Sequence, residues 1–464
     1  MRSQRKLLRL IWAAVKGQEQ DYTRLSLKRS IVLLATPMIL EMLMESLFAV
    51  VDIFFVGRLG PAALATVGLT ESVLMIVYSV GMGISMAGTA MVARRVGEKK
   101  FKQAGSTTFQ LLATGTVLAL LMGLVTFLFA EEILRLMGAT PEIIQTGVGY
   151  ARIIFAGNLV IILLFLINGA FRGAGQPHLA MRALWISNAA NLVLDPLLIF
   201  GVGNFTGLGL EGAAWATTTG RSIGVLYQLY HLFNGRHLLK ITQENLVLRL
   251  KTVAKILKVS AGGMGQFMIE SASWIFLTRI VAESGSSALA GYTIAFRVIM
   301  FTLLPAWGLS SAAATLVGQN LGAGKPRRAE LSVLITARYN MIFLGVVTVA
   351  FFLFGKHLAA FFSQEQQVVA IASEGLKIIT LGYVFFGLGM VMVQAFNGAG
   401  DTRTPTLINI LVLWIIEIPL AYLLALHLGY GITGIFATIA CSHSLHALIS
   451  WWLFRKGRWK TVQV

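Results

Sequence analysis

The chain has 464 residues, 56% of them hydrophobic and only 12% charged, with a formal net charge of +18. A soluble chain of this size carries about a quarter of its residues as charges, so an assembly of soluble domains is excluded. A nucleic-acid binder gathers its positive charge on one folded polar face, and no stretch here can build such a face.

Residues 1–29 form a basic tail, in which Arg5 to Lys16 mixes basic and apolar residues as an interfacial helix does. Beyond it, apolar stretches recur, and a bilayer core about 30 Å thick needs about 20 helical residues. The spans fall near 30–56, 69–94, 108–130, 147–172, 178–202 and 209–234, then 254–281, 290–318, 331–355, 371–397, 405–428 and 431–455. These predict an all-α polytopic membrane protein with twelve transmembrane helices. The first lobe occupies 30–234 and the second 254–455. Between them, 235–253 is a basic, amphipathic linker predicted to carry an interfacial helix, and 456–464 is a basic tail.

Thirty of the 38 Lys and Arg residues fall in the tails, the odd-numbered loops and their flanks. This bias predicts both termini in the cytoplasm of a multi-pass plasma (inner) membrane protein. The first span is too long for a signal-peptide core and is read as retained. Cys441 is the only cysteine, so no internal disulfide forms. Asn204-Phe-Thr206 is a glycosylation sequon of a kind common by chance. Gly207 to Gly212 reads GxGxxG without a preceding strand. Gly322-Ala-Gly-Lys325 lacks the hydroxyl residue of a phosphate loop, since Pro326 follows. No ATP-hydrolysing module or catalytic constellation is visible, so no enzyme activity is expected.

The halves repeat. At a shift of 225, Gly60 to Ala65 meets Gly285 to Ala290, and Gly83, Ser85, Gly97 and Lys100 meet Gly308, Ser310, Gly322 and Lys325. Ala170-Phe-Arg-Gly-Ala-Gly175 meets Ala395-Phe-Asn-Gly-Ala-Gly400, and later the shift becomes 222, where Gly209 to Gly212 meets Gly431 to Gly434. Each repeat has six spans, an even number, so the two six-helix bundles are parallel. They are related by a pseudo-two-fold axis along the membrane normal, with a central cleft suited to alternating access.

Ionisable groups inside spans are costly and mark functional candidates. Glu41, Glu45 and Asp52 share one stripe of the first span, because at 100° per residue they lie within about 40° of one another. The fifth span carries Asn188, Asn191 and Asp195, followed by Pro196, which leaves the Leu192 carbonyl without its helical donor. Helical rise places Asp52 about 6 Å below the outer boundary, with Asp195 and Thr217 about 10–12 Å below it. Hard oxygen ligands of this kind suit Na⁺, and the same carboxylates can take a proton. The second half differs: Glu270 matches Glu45, with Gln266 and Ser273 at helical spacing. Arg297 is placed to pair with Glu270, and Glu417 lies near the counterpart of Asp195. Pro37, Pro305 and Pro419 also interrupt spans and are candidate bending points.

These residues together resemble the multidrug and toxic compound extrusion (MATE) family. The likeness rests on Val51-Asp-Ile-Phe-Phe-Val-Gly57, Phe171-Arg-Gly-Ala-Gly175, Asn191-Leu-Val-Leu-Asp-Pro196 and Val317-Gly-Gln-Asn-Leu-Gly322, and covers nearly all the chain after Ser30. The resemblance implies a secondary active antiporter exporting organic cations or amphipathic drugs in exchange for Na⁺ or H⁺, with no other cofactor. It implies a coupling-cation site at Asp52, Asn191, Asp195 and Thr217, the first three being metal ligands if Na⁺ is the ion. Glu41, Glu45, Asn188 and Glu270 are further cation or substrate candidates. One subfamily carries an acid in the tenth span. Leu381 to Asn397 has none, which favours the N-terminal site. The expected partners are the substrate and the bilayer, with no nucleic acid and a monomeric state. The rival reading is a flippase for a lipid-linked precursor, which needs a strongly cationic cleft where only Arg221 and Arg297 lie deep enough. An intramembrane enzyme or a receptor is the reading from another class.

Overall fold

The computed structural model describes residues 2–464; Met1, the first residue of the N-terminal tail, lies outside them. The N-terminal bundle runs α2 (Leu27–Val56), α3 (Pro61–Gly97), α4 (Phe101–Leu128), a short α5 (Ala130–Leu136), α6 (Pro141–Ala156), α7 (Asn158–Ala174), α8 (Pro177–Phe200) and α9 (Leu210–Phe233), after a tail helix α1 (Arg2–Lys16). The C-terminal bundle runs α10 (Leu250–Ala282), α11 (Ser286–Gly322), α12 (Pro326–Phe362), α13 (Gln366–Leu381), α14 (Tyr383–Ala399), α15 (Arg403–Asn409), α16 (Ile418–Tyr422) and α17 (Gly431–Arg455). Among the described residues, eight helices or straight pairs are long and apolar enough to cross a membrane alone, and α13–α14, bent by 57°, make a ninth. The helices α2, α9 and α10, of 30, 24 and 33 residues, complete the twelve.

Several helices outrun the predicted spans because nothing breaks them at the membrane boundary. Pro61 at the first turn of α3 starts that helix well before residue 69, where its missing N–H costs nothing. The eleventh span is interrupted differently: Ile410–Glu417 and Leu423–His427 are π-helical, flanking Pro419. Such wide turns recur at functional sites. The linker departs from expectation. Among residues 234–249, only a 3-10 turn at Gln243–Asn245 forms, and no interfacial helix. Leu239 and Ile241 are instead buried in the N-terminal core. The Gln110 side chain fixes the extended segment that follows, donating to the Val247 carbonyl at 2.7 Å and accepting from the Arg249 amide at 2.8 Å.

The repeat is visible in the packing. Val117, Leu121, Leu124 and Leu128 on α4 are each more than half exposed, and so are Ile342, Val346, Val349 and Leu353 on α12, 225 residues later. These stripes face outward from both bundles, as lipid-facing surfaces do. Gly83 sits against the α10 backbone at Met264, and Gly308 against the α2 backbone, where a Cβ would lie 2.7 Å from the Met38 carbonyl oxygen. Each bundle thus lends its first helix to its partner's second.

The bundles diverge along their length. In α3, seven of the first 20 residues are buried but twelve of the last 17; in α11 the corresponding counts are seven and thirteen. The halves of these helices nearest the chain termini therefore close on each other, and the opposite halves splay apart. At the closed end Gly97 packs on the Gln319 backbone and Gly322 on that of Arg94. Both tails tie this face together. Lys325 donates to the Thr23 carbonyl at 3.0 Å, Arg328 to those of Tyr22 and Leu25, and Arg94 to that of Val462. Lys99 reaches Asp21 at 2.7 Å. Burial alone would raise the Asp21 carboxyl, but the bonds from Lys99 and Thr23 outweigh it and hold it at about 2, below its ordinary 3.8. A depressed carboxyl stabilises the fold above its unfolded value, and that contribution disappears as pH falls through the folded one. Because this pair is partly solvated, Asp21→Asn is expected to cost only about 0.5–1 kcal/mol at pH 7. The difference should shrink below pH ~4 in thermal unfolding of purified protein.

Candidate functional site

A cleft of about 1140 Å³ lies between the bundles, lined from both sides by α2, α3, α7, α10, α11 and α14 residues. Glu41 and Glu45 reach it, as the stripe on the first span predicts, but neither stands alone. Glu41 is 1% exposed and accepts from Arg172 at 2.5 Å and from Asn168 at 3.1 Å. Gln228 extends the network to Asn168. Glu45 lies 3.9 Å from Arg221. Arg172, counted in sequence with the basic flank of the fourth span, is therefore part of the cleft. Removing one partner of a buried pair leaves the other uncompensated, at about 3–5 kcal/mol. Arg172→Ala is thus expected to lower the thermal stability of purified protein sharply, and Glu41→Gln in the same chain to restore most of it.

The outer part of the N-terminal bundle gathers the other candidates. Asp195 on α8 is completely buried, and its Oδ1 accepts from Asn191 Nδ2 at 3.1 Å. The same amide lies 3.4 Å from Thr217 Oγ1 on α9, which singles out Thr217, since Thr219 is exposed and Thr218 faces Gly157. Asp52 is half-buried, within charge-interaction range of Asp195, Glu71 and Arg221. The structure thus brings Asp52, Asn191, Asp195 and Thr217 together. Asp195 Oδ2 and Asn191 Oδ1 are buried with no hydrogen-bond partner among the described residues. Asn188 is spent otherwise: its amide donates to the Met44 carbonyl of α2 at 3.3 Å, an ordinary interhelix bond. Glu71, at the edge of the predicted second span, was not singled out from sequence. Its signal was present, an acid two residues inside an apolar stretch.

In the C-terminal bundle, Glu270 lines a cavity that adjoins the central cleft, and Arg297 is exposed on α11 with no ion pair to it among the described residues. The expected Glu270–Arg297 pair does not form, because a residue turned away from the bundle cannot reach one facing in. Gln266 is joined reciprocally to Asn397, with Nε2 at 3.0 Å from Asn397 Oδ1. No group of three or more His, Cys, Asp or Glu residues suited to a metal ion occurs among the described residues. A monovalent ion needs no such cluster, since amide, hydroxyl and carbonyl oxygens serve it.

Two parallel bundles with a cleft of mixed polar and apolar lining between them, open at one end, define a polytopic membrane protein. A sequence profile of the MatE family matches residues 37–197 and 264–423, one copy in each bundle. The chain belongs to the MatE family of membrane transporters. It is 25% identical over 449 residues to the "Probable multidrug resistance protein YoeA" of Bacillus subtilis, covering 96% of this chain and 97% of that one. It is 24% identical over 413 residues to the "Multidrug export protein MepA" of Staphylococcus aureus, covering 89% and 90%. Among solved structures, MATE in complex with MaL6 superposes with a TM-score of 0.89 at 24% identity, covering 95% and 99%. A MOP superfamily transporter from Pyrococcus furiosus, described as having a binding pocket of reverse polarity, superposes with a TM-score of 0.88 at 24% identity, covering 96% and 100%.

Proposed function

We propose that this protein is a secondary active antiporter that exports organic cations or amphipathic drugs in exchange for Na⁺ or H⁺. The observation that carries the reading is the state of Asp195. It is fully buried, holds one hydrogen bond, and has no basic side chain within ion-pair distance among the described residues. A buried carboxylate left in that condition is tolerable when an ion or proton arrives to compensate it. Asp52, Asn191 and Thr217 supply the remaining oxygens, and the Leu192 carbonyl freed by Pro196 adds another. The relatives named for multidrug resistance and export support the substrate class.

The basic end, where both termini lie, is cytoplasmic in this reading, so the splayed end opens outward. The protein sits in the plasma (inner) membrane as a monomer. Ion capture at Asp52 and Asp195 repacks α2, α8 and α9, expelling substrate outward; return of the ion-free state reopens the cytoplasmic side. Purified protein in proteoliposomes is expected to extrude ethidium when an inward Na⁺ or H⁺ gradient is imposed. Gradients applied one at a time identify the ion, and efflux indifferent to both overturns the reading.

A further inference from the structure

The C-terminal bundle holds a cavity of about 730 Å³ that the coupling site does not use. It shares Met86, Phe267, Trp307, Gln394 and Asn397 with the central cleft, so a molecule in the cleft reaches its mouth. His443 lines it, and behind that side chain lies Glu417, 1% exposed, from the π-helical part of the eleventh span. Its Oε2 accepts from Ser273 Oγ at 3.3 Å, and its Oε1 has no partner. Facing that oxygen at 3.9 Å is His443 Nε2 of α17, also buried and also without a partner. Trp274 and Phe386 hold the imidazole, with ring centroids at 6.0 and 4.4 Å. The other ionisable groups facing this pair are Glu270 from α10, Tyr292 from α11 and His446 from α17. Residues of α14 in the cavity are not ionisable, and no Lys or Arg lines it.

The repeat explains what is unusual here. Glu270 matches Glu45 at a shift of 225, and at 222 Glu417 matches Asp195 and His443 matches Arg221. Packing supports that register, since Gly157 touches Thr218 and Gly382 touches Ala440. Where the first bundle has a permanent guanidinium, the second has an imidazole, which can take up and release a proton. The separation of 3.9 Å is too long for a hydrogen bond, yet a proton delivered to the pair turns it into a compact ion pair or a neutral acid. Sodium fits poorly, because it prefers an oxygen cage and half of this pair is nitrogen.

We propose that Glu417 and His443 form a second, proton-binding site whose occupancy competes with an organic cation in the adjoining cavity. A cation resting on the stacked rings of Phe267 and Trp307, beside Glu270, displaces one proton from the pair to bulk water. Proton return lowers the negative charge of the cavity and releases the cation. The proposal rests on the preceding section only for the cationic nature of the substrate.

Ethidium binding to the purified full-length protein, followed by fluorescence from about pH 5.5 to 8.5, tests it. Wild-type affinity is expected to fall by severalfold or more toward acid pH. Glu417→Gln and His443→Arg should each flatten that dependence, while Glu417→Asp retains it and reports that the cavity is intact. Asp52→Asn with Asp195→Asn should keep the pH-dependent binding although transport is lost, which separates this site from the coupling site. A wild-type profile without pH dependence, a slope unchanged in Glu417→Gln, or no ethidium binding at any pH overturns the proposal. Binding with the expected slope but no gradient-driven efflux would instead overturn the antiporter reading alone.

Discussion

Asp195→Asn is expected to reduce ion-driven ethidium efflux by roughly 5–150-fold, the range of a typical coupling free energy, while leaving the protein as stable as wild type or more so. The reasoning is electrostatic. The substitution keeps shape and can still accept the Asn191 amide, but it removes a charge that is wholly buried and lacks a basic partner. An amide binds neither a proton nor, with useful strength, Na⁺, so the state that the ion selects is no longer favoured. Removing an uncompensated buried charge does not destabilise the fold. Lost transport with retained stability separates a coupling carboxylate from a structural one. Thr217→Val, which deletes only a 3.4 Å contact to Asn191, should cost much less. Efflux and thermal unfolding measured on the same preparations decide the matter.

The second large effect is expected at the closed end. Gly97 packs against the Gln319 backbone, and a Cβ on Gly322 would lie 3.0 Å from the Arg94 carbonyl carbon and 3.1 Å from the Glu98 amide nitrogen. A side chain at either point meets main chain, which cannot swing aside. Gly97→Val or Gly322→Val should therefore penalise the closed state by about 1–3 kcal/mol, the usual cost of overpacking. That converts to roughly 5–150-fold in population, favouring opening at the basic end. Labelling of Met86→Cys on the cleft floor by a reagent from the basic side, with Cys441→Ser, should accelerate accordingly. Unchanged labelling would mean the glycine contacts do not govern closure.

Much of this architecture is legible in the sequence because it depends on local, periodic features. Twelve apolar stretches and the internal repeat suffice for two parallel bundles. The same repeat foretells that Gly83 and Gly308 occupy equivalent contacts. The stripe of Glu41, Glu45 and Asp52 is legible because helical geometry fixes relative direction. What escaped depends on pairs distant in the chain. Arg172 counts as a flanking charge until α7 is seen to carry it to Glu41. His443 shows no pattern of its own, since its meaning comes from Glu417 on another helix. The linker misleads because its apolar residues are spaced as on an interfacial helix, yet Leu239 and Ile241 are claimed by the N-terminal core while Leu246 and Leu248 stay exposed. The Glu270–Arg297 pair fails for the converse reason: matching depth along two helices does not fix which way a side chain turns.

Recording ion influx and ethidium efflux together, in one set of proteoliposomes, tests the central claim most directly. The account predicts that each ethidium extruded is accompanied by inward movement of the driving ion, and that both fluxes vanish together in Asp52→Asn with Asp195→Asn. Ethidium leaving at an undiminished rate in that variant, or without ion entry in wild type, would contradict it.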